Sequence, residues 1–63
     1  MKVTYENFST AQEIVGEYVD ALFTGRPVYN TDRKRDCTRL ELINEIKSGI
    51  SVMETYYLQQ EAE

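Results

Sequence analysis

The chain has 63 residues, with 7 Lys+Arg against 11 Asp+Glu, no His, no Trp and a single Cys. This length supports one small domain, which buries only about 60% of its unfolded surface. One cysteine makes no disulfide framework, no Cys/His set is present for zinc, and the ordinary general base is missing without His. The expectation is a protein with no catalytic residues, no metal, no cofactor and no small-molecule substrate.

Taken in chain order, Lys2-Val3-Thr4-Tyr5 alternates and suits an extended strand within a flexible arm over 1–8. Met1–Glu6 holds no apolar run, so the chain is expected not to be secreted. Residues 9–24 read as an amphipathic helix. Ala11, Ile14, Val15, Tyr18, Val19 and Leu22 share one stripe at 3.6 residues per turn. Ser9…Gln12 and Thr10…Glu13 both fit a capping box. Gly25 supplies the stop, and Pro27 forbids resumption while pushing Arg26 toward extended geometry.

Residues 25–37 form the connector. Val28-Tyr29-Asn30 and Arg35-Asp36-Cys37 suit a very short hairpin around Thr31-Asp32-Arg33-Lys34. A second helix follows over 39–60. Thr38 and Glu41 make its capping box, with Cys37 and Leu42 as a hydrophobic staple. Leu40, Ile43, Ile46, Ile50, Met53 and Tyr57 define its expected core face, on which Ile46→Ala should cost about 2–5 kcal/mol. Gly49 marks either a kink, a close packing point or an early end. Residues 60–63 form a polar, flexible tail. The fold class is thus α+β, mostly α: two antiparallel amphipathic helices joined by a short hairpin connector. No stretch is apolar for long enough to span a membrane.

The net charge of −4 is segregated along the chain. Residues 1–25 sum to −3, residues 26–39 to +3 and residues 40–63 to −4. Arg26, Arg33, Lys34, Arg35 and Arg39 are therefore the candidate contact for an anionic partner, with Tyr29 available to stack on a base. The −7 on the rest of the chain opposes nucleic acid, so that contact is not the favoured one. Glu13, Glu17 and Asp20 share an outer face of the first helix, but the ligands and loop of a Ca²⁺ site are missing. Cys37 beside Arg35 and Arg39 has the setting of a low-pKa thiol without a base or resolving thiol, and a staple role outweighs a reactive one. Five Tyr and two Phe exceed what so small a core can bury. Tyr18, Phe23, Tyr29, Tyr56 and Tyr57 are the candidate protein interface, and Phe23 and Leu58 fall at the edges of their stripes.

The junction Ala21-Leu22-Phe23-Thr24-Gly25-Arg26-Pro27-Val28 closes a capped helix and enters a short strand. Together with Thr38, Glu41 and the Leu42/Ile46 pair, it resembles the gpW-type head–tail joining proteins of tailed phages, over about residues 11–55. The chain departs from that family in a connector several residues shorter and in Pro27 at the first strand. The resemblance implies two antiparallel helices over a small hairpin, and a ring of copies at the portal vertex. A small non-enzymatic head–tail joining protein that acts by protein–protein contact or self-association is the leading expectation. The place implied is the host cytoplasm or the virion. The alternative is a small acidic phage-encoded inhibitor or adaptor that blocks a host or defence protein by mimicking nucleic acid.

Overall fold

A computed structural model describes residues 2–62; Met1 and Glu63, the outermost residues of the expected arm and tail, lie outside them. The elements run α1 (Tyr5–Thr24), β1 (Tyr29–Asn30), β2 (Arg35–Asp36) and α2 (Arg39–Glu61). This is the mostly helical α+β architecture implied by the sequence. The two helices lie antiparallel and are joined by a short antiparallel hairpin.

Thr4 starts α1, four residues before the stretch that Ser9 and Thr10 were expected to cap. Its backbone is extended, and its Oγ1 accepts the Asn7 N–H at 3.2 Å while donating to Asn7 Oδ1 at 2.7 Å. The reason for the earlier start is packing. It brings Phe8 into the helix one turn before Ala11, and both are buried. The Phe8 ring stacks on Tyr56 with centroids 4.5 Å apart and meets Tyr57 edge-on at 5.3 Å. The expected strand over residues 2–5 does not form. Tyr5 is already helical, and Val3 pairs with a side chain: its N–H donates to Gln59 Oε1 at 2.6 Å and its carbonyl accepts from Gln59 Nε2 at 2.9 Å.

The stop at Gly25 is as the sequence implies. Its φ of 75° lies in the left-handed region that glycine adopts at little cost, and its N–H donates to the Ala21 carbonyl at 2.9 Å. Two arginines from beyond the helix then fold back onto carbonyls at and near this end. Arg39 donates to the Ala21 and Gly25 oxygens, and Arg26 donates to the Glu17 oxygen. Cations at this end complement the helix dipole.

Tyr29 pairs with Asp36 and Asn30 with Arg35, and the Cys37 N–H donates to the Val28 carbonyl at 2.7 Å. The turn over 31–34 is held by Asn30, whose Oδ1 accepts from the Asp32 and Arg33 N–H groups. Lys34 closes it at φ 55°.

The capping box of α2 is complete: Thr38 Oγ1 accepts the Glu41 N–H, and Glu41 Oε1 accepts the Thr38 N–H at 2.7 Å. The helix then runs through Gly49 without a break. Gly49 is buried at a close packing point, where an added β-carbon would sit 2.5 Å from Val15 Cγ2.

The expected core face of α2 is corrected. Leu40, Ile43, Ile50 and Tyr57 are exposed, whereas Leu42 is fully buried and Ile46, Met53 and Tyr56 are half-buried. The line facing α1 therefore runs Leu42, Ile46, Gly49, Met53, Tyr56. Only at Gly49 is there no side chain to hold the helices apart, so this line gives the closest approach. It turns the other set of apolar residues to one side.

Candidate protein-contact surface

Four of the five connector cations carry intramolecular partners. Arg26 lies 3.8 Å from Glu17 and 3.5 Å from Asp20, and Arg39 is held on the α1 carbonyls. Arg35 grips Glu41 with two hydrogen bonds of 2.8 and 3.2 Å, and Arg33 approaches the same carboxylate at 3.5 Å. The Arg35 guanidinium, with the Thr38 N–H, holds the Glu41 carboxyl down to about 2. Lys34 at the turn has no ion pair among the described residues. The basic segment thus ties the hairpin to α2 through Arg33 and Arg35, and its two ends to α1 through Arg26 and Arg39. Glu17 and Asp20, two of the three outer-face acids, serve as partners of Arg26. Among the described residues, no three His, Cys, Asp or Glu side chains converge as metal ligands.

The aromatic candidates divide. Tyr56 is half-buried in a cluster with Tyr5, Phe8 and Tyr57 at the end of the molecule away from the hairpin. Tyr18 is half-buried beside Cys37. Burial first, and then the charges of Cys37, Glu45 and Glu17, raise its phenol above the ordinary value. It lines a polar hollow of about 510 Å³ beneath the hairpin, with Asn30, Cys37, Asn44 and Glu45. Phe23, Tyr29 and Tyr57 are exposed, and Leu58 joins them.

Phe23 is 87% exposed and Leu40 73%. Arg39, bonded to the Ala21 and Gly25 carbonyls, sets the start of α2 beside the end of α1. The two bare apolar side chains therefore stand at the same end of the molecule, the hairpin end. Position in the stripe foretold this for Phe23. Leu40 was missed because its spacing to Ile43 suits a core face equally well.

The two sides of the helix pair differ. At roughly 100° per residue, Glu45, Ser48 and Val52 fall on one side of the Leu42–Gly49–Tyr56 line. There they meet Asn7, Thr10 and Ile14 of α1 around a shallow cleft of about 380 Å³. Ile43, Ile50 and Tyr57 fall on the opposite side, all exposed and spaced by seven. Leu40, Lys47 and Glu54 form the adjoining line with the same spacing, and Lys47 and Glu54 have no ion pair among the described residues.

Among the described residues no helix is long and apolar enough to cross a membrane. Comparison with family models, curated proteins and solved structures returned no match.

Proposed function

We propose that this chain is a small non-enzymatic joining protein of the phage head–tail type, which works by docking its hairpin end onto a larger protein assembly. The observation that carries the reading is the pair Phe23 and Leu40, two large apolar side chains left in water at one end. Interfaces are anchored by such groups when a partner pocket receives them. The element order supports the same reading. Two antiparallel helices over a short hairpin, with a Ser/Thr-capped second helix, form the arrangement that the gpW-type resemblance implies. Work of this kind belongs in the host cytoplasm and then in the virion.

The test is co-expression with the portal protein of the same genome, followed by co-sedimentation. The chain should travel with the portal ring, and Phe23→Ser with Leu40→Ser should release it while circular dichroism stays helical. A chain that ignores the portal and instead captures a host nuclease or polymerase would overturn this reading in favour of the inhibitor.

A further inference from the structure

We infer that two copies of this chain pair in solution through the open side of α2, antiparallel about a two-fold axis beside Ile50. This inference does not rest on the joining reading, since it uses a different surface from Phe23 and the hairpin end.

The occupant is fixed by charge. Lys47 and Glu54 lie on one exposed line, seven residues apart, flanking Ile50. An axis that passes between Ile50 and Ser51 sets residue 47 of each copy across from residue 54 of the other. Each Lys47 then faces a Glu54, and the two-fold makes that contact twice. The same axis brings Ile43 against Tyr57 and Leu58 of the second copy, with the two Ile50 side chains at the centre. A parallel pairing would instead carry the two lines to opposite sides of the seam, so that neither Lys47 nor Glu54 meets its counterpart and the complementary contact is lost. Such charges flanking an apolar seam select the orientation of paired helices.

Size points the same way. Among the described residues only Phe8, Ala11, Ala21 and Leu42 form the buried apolar core, which is little for a chain of 63 residues without disulfide or metal. The molecule is a slab of 42 × 23 × 17 Å. Covering Ile43, Ile50 and Tyr57 on two copies extends the core across the axis.

Sedimentation equilibrium of the full chain tests this. The protein should sediment at twice its 7.4 kDa. Lys47→Glu alone and Glu54→Lys alone each place like charges across the axis twice and should raise the dimer Kd about tenfold. The double variant K47E/E54K should regain dimerisation. An equimolar mixture of the two single variants should form a heterodimer tighter than either homodimer. Both residues are exposed, so circular dichroism should report unchanged helix throughout. A wild-type monomer at hundreds of micromolar, or single variants that pair as well as wild type, would overturn the inference and leave the portal co-sedimentation result unaffected.

Discussion

Gly49 stands so close to Val15 that a β-carbon built on it would lie 2.5 Å from Val15 Cγ2 and 3.4 Å from the Ala11 carbonyl oxygen. Glycine in a helix interior costs about 1 kcal/mol relative to Ala, so propensity alone favours Gly49→Ala. The atom that must move is Val15 Cγ2, on a β-branched side chain with little rotamer freedom in a helix, and overpacking typically costs about 1–3 kcal/mol. Gly49→Ala should therefore lower stability in urea. Gly16 is the internal control, because it is helical and nothing lies within 4 Å of its would-be β-carbon. Gly16→Ala should raise stability by about 0.5–1 kcal/mol. The opposite signs of the two changes are the check.

Leu42 and Ile46 separate the true core line from the one drawn through Leu40, Ile43 and Ile50. Leu42 is fully buried, so Leu42→Ala should cost about 2–5 kcal/mol. Ile46 is only half-buried, and Ile46→Ala should cost about 1–2 kcal/mol, below the value its place on the expected stripe implied. Ile50→Ala should have the smallest effect of the three on the folding of a single copy. Urea unfolding at low protein concentration measures the order.

The elements set by near neighbours in the chain were legible, and those set by packing across the molecule were not. Gly25 and the Thr38–Glu41 capping box act within four residues of themselves, so their chemistry can be read off the sequence. The start of α1 depends on Phe8 finding Tyr56, forty-eight positions away. Ser9 and Thr10 both offer a capping box, and that contact overrides them by setting the start at Thr4. The rotation of α2 was hidden for a related reason. Its apolar residues populate two adjacent lines, and the one that wins does so through Gly49, a residue with no hydrophobicity to signal it. The basic connector was visible as a charge sum. Its engagement with Glu17, Asp20 and Glu41 was not, because ion-pair partners are chosen by the fold.

Glu41 gives the fold an acid limb. Its carboxyl is held at about 2 by Arg35, with the Thr38 N–H assisting, against an ordinary value of 4.5. The folded form thus binds this proton less readily than the unfolded chain does. The stabilisation is complete above about pH 5 and is lost as pH falls from 4.5 toward 2. Melting temperature should decline across that window and hold steady above it. Glu41→Gln removes the carboxylate, so the variant should start lower at neutral pH and show a flatter acid decline. Arg35→Ala should flatten it too, because it removes the larger cause of the shift.

Gln59 clasps the chain's start to its end through both halves of one amide. Its Oε1 accepts from the Val3 N–H and its Nε2 donates to the Val3 carbonyl, at 2.6 and 2.9 Å. A hydrogen bond of this kind contributes about 1 kcal/mol net, and here two of them hold residues ahead of the Thr4 cap. The clasp keeps the backbone entering α1 in place, which in turn keeps Phe8 against Tyr56. Gln59→Glu preserves the acceptor but sets a carboxylate oxygen where the donor stood, against the Val3 carbonyl. Gln59→Leu removes both. Amide hydrogen exchange at Val3 should quicken in each variant. The loss of stability should be about 1–2 kcal/mol for Gln59→Leu. Gln59→Glu should cost at least as much near neutral pH and recover on acidification, when the carboxyl regains a proton to donate. A Val3 amide that exchanges at the same rate in all three proteins would show that the clasp does not hold the arm in solution.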